Sequence, residues 1–215
     1  MRKYDESKIR KFLLKENLMW NNPFVALTMM APFSIPGFLY NFYQIVKNKY
    51  KTSGDKKAKV LIFDEPLTEW QDLMLGVKGC IARFLTERDI KVDYKHNAKS
   101  DDLRAVLANE AYQNVVVVGH GGRSQWCSRD GIVYTEDVDG WMEGLPKKTG
   151  YFIQFTCGDA DGIPLGYSVV ENRNRILGYT KKVNLGDRLE SLWSESLGSI
   201  GGLVTLTEKS LSNKT

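Results

Sequence analysis

From residue 58 onward, short apolar runs alternate with segments in which apolar side chains recur at helical spacing. Short apolar runs predict buried strands, and apolar side chains every three or four residues predict amphipathic helices. The predicted strands are AKVLIFDEP (58–66), IKVDYKHN (90–97), QNVVVVGHGG (113–122), GYFIQFTCGD (150–159) and RILGYTKKV (175–183). The predicted helices are EWQDLMLGVKGCIARFLTERD (69–89), SDDLRAVLANE (100–110, with Ser100 as N-cap) and LGDRLESLWSESLG (185–198). The segment GIVYTEDVDGWMEG (131–144) predicts a hairpin or excursion.

This order of elements predicts the fold class. Strands that alternate with helices are typical of an α/β domain with a mostly parallel sheet and helices on both faces. We therefore expect one such domain over residues 59–208, followed by a polar tail at 209–215.

The N-terminal segment, residues 1–50, has a different pattern. Residues 23–46 (PFVALTMMAPFSIPGFLYNFYQIV) contain no charged residue and have the length of a membrane span, about 20 residues. Pro32 and Pro36 lie in the middle of this stretch, where proline kinks or breaks a helix. Lysines follow immediately, at positions 47, 49 and 51.

Two interpretations of residues 1–50 remain open. The segment associates with a membrane through residues 23–46, as a kinked span, a re-entrant hairpin or an interfacial helix, or it packs on the following domain or mediates self-association. Residues 51–58 (KTSGDKKA) predict a linker between this segment and the domain.

Composition narrows the classes of function. The net charge is only +4, with 30 basic residues dispersed among 26 acidic ones, so no nucleic-acid partner is expected. Three cysteines at irregular spacing do not predict disulfides, which favours a reducing, cytoplasmic compartment. With only two histidines, the chain is not expected to hold a structural metal, and no cofactor motif is present.

Two predicted strands end in residues that can carry chemistry. The valine-rich strand ends in His120 followed by Gly121, and the later FIQF strand ends in Cys157 followed by Gly158. In open α/β sheets, sites form beyond the carboxyl ends of the strands. If these strands are neighbours, the imidazole and the thiol face each other over the edge of the sheet.

A histidine and a cysteine in that position have a mechanism. The thiol needs a base to become a thiolate at neutral pH, and histidine titrates in the range that allows it to act as one. The backbone amides of Gly121 and Cys157 could then receive the oxyanion of a tetrahedral intermediate.

The order of a strand ending in His-Gly and a later strand ending in Cys-Gly resembles the caspase-like cysteine peptidases. That clan includes caspases, metacaspases, gingipains, separases and the bacterial CHAT proteases, to which this chain is closest in style. The likeness covers roughly residues 58–200 and includes GYSVVENRNRILGYTKKVN (166–184), similar to the segment after the CHAT cysteine. It implies a caspase-hemoglobinase-like fold, with His120 as general base and Cys157 as nucleophile.

The resemblance also bears on specificity. The caspase pentapeptide Gln-Ala-Cys-Arg-Gly is replaced by Phe-Thr-Cys-Gly-Asp, and the basic residue behind the caspase preference for aspartate has no clear counterpart. In this clan, the loop after the first strand helps to build the pocket for the residue before the cut. Acidic residues there or just after the nucleophile would favour lysine or arginine, and they are Asp64, Glu65, Asp159 and Asp161.

Other reactive or aromatic residues are ranked lower. Cys127 is a rival nucleophile but lies in a polar segment, whereas Cys80 is expected to pack inside a helix and His96 to be exposed. Trp126 and Trp141 are candidates for a substrate groove, although packing is the commoner role of tryptophan at such positions.

Two functions follow as hypotheses. The first is a cysteine endopeptidase that cleaves a protein or peptide substrate with a His120–Cys157 dyad, restrained by an activating partner, self-association or a zymogen state. The second is a catalytically inactive relative that serves as an interaction or membrane adaptor module.

Overall fold

A computed structural model describes residues 23–63, 77–156, 162–178 and 204–205, with only the backbone described for 23–36, 77 and 204–205. Its helices are α1 (Pro23–Lys51), α2 (Val77–Thr86), α3 (Ser100–Ala108) and α4 (Thr135–Met142), with a 3-10 turn at Arg173–Arg175. Its strands are β1 (Lys56–Phe63), β2 (Ile90–His96), β3 (Tyr112–Gly119), β4 (Gly121–Gly122), β5 (Gln125–Ser128), β6 (Gly131–Tyr134), β7 (Phe152–Phe155), β8 (Ile176–Gly178) and β9 (Val204–Thr205).

The main sheet has the order β2-β1-β3-β7-β8-β9. All neighbours from β2 to β8 are parallel, and only β9 runs antiparallel to its neighbour β8. The predicted α/β class with a mostly parallel sheet is therefore confirmed. The predicted helix 185–198 and the tail 209–215 lie outside the described residues, as does the start of the predicted helix 69–89.

Helices cover both faces of this sheet because successive strand residues point to opposite sides. On one face, α2 contributes to a core that contains Val60, Ile62, Ile81, Leu85, Val116 and Val118. On the other face, α3 and α4 contribute to a core that contains Leu61, Leu103, Leu107, Val115, Val117 and Val138. The valine run of β3 is buried on both faces, as expected for a central parallel strand.

The excursion between β3 and β7 is larger than the predicted hairpin at 131–144. Strands β4, β5 and β6 form a second, antiparallel sheet, and the segment after β6 is the helix α4. The helix begins there because the Asp137 carboxylate accepts a hydrogen bond from the Tyr134 N–H at 2.9 Å. Gly140 inside so short a helix hides its periodicity in the sequence.

Helix α1 is attached to the edge strand β2 through a polar side chain. Asn48 Oδ1 accepts a hydrogen bond from Val92 N at 2.9 Å, and Asn48 Nδ2 donates to Ile90 O at 2.9 Å. The side-chain amide thus makes the two bonds that a neighbouring strand would make, which covers the exposed edge of the sheet. The same Nδ2 also donates to Thr86 Oγ1 of α2 at 2.9 Å.

The predicted linker at 51–58 is short in the structure. Helix α1 continues to Lys51, and β1 begins at Lys56. Between them, Ser53 donates from its N and its Oγ to the two carboxylate oxygens of Asp89, at 2.8 and 2.7 Å. These bonds hold the connection against the start of β2.

Residues 23–46, to which the membrane interpretation applies, lie within α1. Within residues 23–63, 77–156, 162–178 and 204–205, no helix has both the length and the hydropathy that crossing a membrane requires.

We predict that Asn48→Ala lowers the free energy of unfolding by about 1–3 kcal/mol, because it leaves Val92 N and Ile90 O without their partner. Urea denaturation measures this change. The control is Lys49→Ala, an exposed neighbour on the same helix, for which we expect a change within about 0.5 kcal/mol. Equal effects of the two substitutions would contradict the role of the Asn48 amide.

Candidate functional site

The two strands that carry the predicted dyad are adjacent. Strands β3 and β7 pair in parallel, with Val117 opposite Gln154 and Val118 opposite Phe155. The carboxyl ends of parallel neighbours lie at the same edge of a sheet. These strands are therefore neighbours, which is the condition that the predicted dyad requires, and His120 lies two residues beyond the Val118–Phe155 pair.

His120 is an exposed side chain on a turn built from glycine. The residues before and after it, Gly119 and Gly121, have φ of 142° and 143°, values that side-chain-bearing residues rarely adopt. At Gly121 a Cβ atom would lie 2.4 Å from Gln125 O, so the position excludes any larger residue. The glycines redirect the chain from β3 into β4 and leave the imidazole at the sheet edge.

The other predicted site residues lie outside the described residues. They are the nucleophile Cys157 and the acidic residues Asp64, Glu65, Asp159 and Asp161. The described residues that precede them in the chain are Phe63 and Thr156. Phe63 is paired with Gly119, so β1 also ends at the His120 edge.

Gly121 is the predicted oxyanion donor for which the backbone is described. Cys127 N donates to His120 O at 2.9 Å, and Gly121 is the next residue along, opposite Trp126. Gly121, with φ of 143°, lies in the glycine turn at the start of β4, and its role as an oxyanion donor stays a prediction.

The rival thiol, Cys127, lies in strand β5. Its backbone N–H donates a hydrogen bond to His120 O at 2.9 Å, so the two residues are neighbours across the turn between β4 and β5. Burial raises the pKa of the Cys127 thiol. A raised pKa keeps the sulfur protonated at neutral pH and therefore less nucleophilic.

Gln154 and Thr156 tie the loop after His120 to β7, a role that the sequence analysis missed. Gln154 Nε2 donates to Gly122 O at 2.6 Å and to Arg123 O at 3.0 Å. Thr156 Oγ1 donates to Gly122 O at 3.0 Å and accepts from Gln154 Nε2 at 3.0 Å. The signal for this role was present, because a glutamine inside the apolar run FIQF needs a buried hydrogen-bond partner.

Arg123, three residues after His120, is a second residue that the sequence analysis missed. It is 7% exposed, and in the described part of the chain its Nε has no hydrogen-bond partner. Gln154 Oε1 is likewise buried and unpaired within that part. A buried guanidinium ordinarily sits beside an anion or hydrogen-bond acceptors, so Arg123 adds one buried positive charge three residues after His120 in the chain. Nothing in the local sequence separates Arg123 from a surface arginine.

Asp130 fixes the far end of the β5–β6 hairpin. Its carboxylate accepts hydrogen bonds from Ser100 N at 2.8 Å and from Ser128 Oγ at 2.8 Å, which lower the pKa of Asp130 to about 2. Ser100 is the first residue of α3, and its N–H donates to Asp130. The predicted N-cap role of Ser100 is wrong, because Lys99 precedes the helix and its N–H is held by Asp102.

The remaining candidates behave as packing or surface residues. Trp126 is fully buried and its Nε1 donates to Val118 O at 3.2 Å, and Trp141 packs against the same core, so Trp126 lines no groove. Cys80 is buried in α2 and His96 is exposed at the end of β2, as predicted. In the described ranges, no cluster of His, Cys, Asp and Glu could hold a metal ion.

No family model and no curated protein sequence matches this chain. Its function is therefore inferred from its own residues and their geometry.

We predict that Gln154→Met, which keeps the volume of the side chain, lowers the free energy of unfolding by about 1–3 kcal/mol because it removes the donor to two buried carbonyls. Chemical denaturation measures the loss. Gln113→Met is the matched control, since Gln113 makes hydrogen bonds of the same type at the surface and should cost less than about 1 kcal/mol. A Gln154 variant as stable as the Gln113 variant would contradict the role of Gln154 in holding the loop after His120.

We predict that the Asp130 carboxyl titrates near pH 2 in the folded protein, below the unfolded value of about 3.9. Because the folded pKa is depressed, the stabilisation is present above the unfolded pKa and is lost as the pH falls toward 2. Carbon-detected NMR titration of the Asp130 carboxyl measures the midpoint. A midpoint near 4 would mean that the hydrogen bonds from Ser100 and Ser128 do not form in solution.

Proposed function

We propose that this chain is a cysteine endopeptidase of the caspase-like clan that works in the cytoplasm, with His120 as general base and Cys157 as nucleophile. The observation that carries the proposal is the parallel register of β3 and β7, which ends the His120 strand and the strand before Cys157 at one edge of the sheet. The α/β architecture with helices on both faces is compatible with a caspase-hemoglobinase-like fold, which we propose as its finer classification.

In the proposed reaction, the His120 imidazole removes the proton of the Cys157 thiol, and the thiolate attacks the carbonyl carbon of the substrate peptide bond. The amides of Gly121 and Cys157 stabilise the oxyanion of the tetrahedral intermediate. The C–N bond breaks as the imidazolium returns its proton to the leaving amine, which leaves a thioester. Water, deprotonated by His120, then attacks the thioester and releases the acid product and the thiol.

Two features favour Cys157 over Cys127 as the nucleophile. Cys127 lies within a strand, where its N–H is engaged by His120 O, and burial raises the pKa of its thiol. Cys157 directly follows Thr156 in the chain, and Thr156 is tied to the loop after His120 through Gly122 O. This hydrogen bond links the end of β7 to the loop after His120, and the proposed mechanism requires these two segments to act together.

The residues around the proposed site favour two different charges in the substrate residue before the cleaved bond. We propose cleavage after lysine or arginine, drawn by the carboxylates of Asp64, Glu65, Asp159 and Asp161, as the clan resemblance implies. Arg123 is the opposing feature, since a guanidinium three residues after His120 in the chain would attract an acidic side chain if it reached the substrate. A peptide library compares the two directly: enrichment of lysine or arginine before the cut supports the proposed preference, and enrichment of aspartate or glutamate overturns it.

We predict that Cys157→Ala and His120→Ala each reduce the cleavage rate of a library peptide by about a thousandfold or more, because each removes a partner of one chemical step. The matched control is Cys127→Ala, which removes the other thiol near His120 and should retain activity. Activity measured by release of a fluorogenic amine checks all three variants.

Labelling with a peptide-like electrophile separates an enzyme from an inactive adaptor. Labelling of Cys157 that slows in the His120→Ala variant supports the peptidase. Full activity in the Cys157→Ala variant, or labelling of Cys157 no faster than that of an ordinary exposed thiol, would show that the proposed function is wrong.

A further inference from the structure

The part of α1 whose side chains are described, 37–51, has the reverse of the usual arrangement of apolar and polar side chains. Its polar residues Asn41, Gln44 and Asn48 are 2%, 6% and 3% exposed. Five large apolar residues of this part point outward and are 51–76% exposed: they are Phe38, Leu39, Phe42, Tyr43 and Tyr50, here called the outer face of α1. A helix on the surface of a protein in water ordinarily turns its apolar stripe inward.

Two of the three inward polar residues are held by hydrogen bonds. Asn41 Oδ1 accepts from Gly79 N at 2.7 Å, and the Asn48 amide is bonded to β2 and α2. At Gly79 a Cβ atom would lie 2.8 Å from the Tyr40 ring, so the two helices approach closely at that glycine. The contacts that hold α1 to the domain therefore leave its apolar side unused.

The outer face is a cluster rather than scattered exposure. Among the described residues, only Ile132, Tyr134 and Ile163 are comparably exposed large hydrophobic residues outside α1. Phe38 and Phe42 are four residues apart, as are Leu39 and Tyr43, and Tyr50 follows Tyr43 by seven residues. Residues at spacings of four and seven share a face of a helix, so all five lie on one side of α1. A contiguous exposed apolar stripe of this kind indicates an interaction surface.

The charges around this stripe indicate what covers it. The sequence has no charged residue from Pro23 to Val46, and then lysines occupy positions 47, 49, 51, 56 and 57. Apolar and tyrosine side chains that end in a group of lysines suit the boundary between lipid tails and anionic headgroups. A stripe that lies in this boundary does not need the length or hydropathy of a span.

We propose that the outer face of α1 docks this protein on an anionic lipid surface, with the helix in the plane of the interface and the lysines at 47–57 against the headgroups. The apolar side chains enter the boundary between headgroups and tails, and the Asn41–Asn48 side stays bonded to the domain. This places the edge strand β2 near the membrane. The inference is independent of the peptidase chemistry.

The experiment measures binding of the full-length chain to vesicles of phosphatidylcholine, with and without phosphatidylglycerol, by co-sedimentation. We expect binding that is stronger with phosphatidylglycerol and weaker at high salt. The double variant Phe42→Ser/Tyr43→Ser should bind about tenfold or more weakly, because it removes two large apolar side chains from the interface. Both positions are exposed, so folding is preserved, and thermal unfolding followed by circular dichroism checks this.

The matched control is Ile132→Ser/Tyr134→Ser, which removes two exposed apolar side chains from β6 and should bind vesicles like the unmodified chain. Equal binding by the Phe42/Tyr43 variant and the unmodified chain would overturn the proposal. So would a dimer that forms through Phe42 and Tyr43, seen by analytical ultracentrifugation, in a protein that does not bind vesicles. In that case a second copy of the chain, rather than lipid, covers the outer face.

Discussion

The parallel pairing of β3 with β7 is the constraint on which the rest of this structure depends. The valine run of β3 is buried on both sides, between the core beneath α2 and the core beneath α3 and α4. Such a strand can lie only in the interior of a sheet, so its neighbours and its register are strongly specified. With Val118 opposite Phe155, the turn at His120 and the end of β7 lie at one edge of the sheet.

The His120 turn shows how a buried polar group can serve a particular geometry. Gly119 and Gly121 permit a backbone that other residues would resist, and Gln154 and Thr156 hold the following carbonyls in place. Burying an amide costs free energy unless its hydrogen bonds are made. Gln154 makes these bonds with its Nε2 while its Oε1 has no partner among the described residues. The sheet strand and the loop are thereby connected through side-chain chemistry as well as through the chain.

Helix α1 also uses a buried polar side chain, here to contact β2, the outermost strand on one side of the sheet. Its Asn48 amide occupies the place of a strand beside β2, so the exposed edge is covered without a further strand. Because that contact uses the polar side of the helix, the aromatic side is directed to the outside. An exposed apolar surface here is a consequence of how α1 contacts the edge of the sheet.

The amino-acid sequence by itself determined the α/β class, the approximate positions of β1, β2, β3, β7 and α3, and the placement of His120 at a strand end. These features follow from periodicity and glycine positions, which are local properties of the chain. The tertiary structure alone decided that β3 and β7 are neighbours, that α4 is a helix within the excursion, and that Cys127 pairs with His120. It also decided the hydrogen-bond partners of two polar side chains. Gln154 bonds Gly122, 32 residues away in the chain, and Asn48 bonds Val92, 44 residues away. Such contacts depend on which surfaces meet when the chain folds, and no local pattern records them.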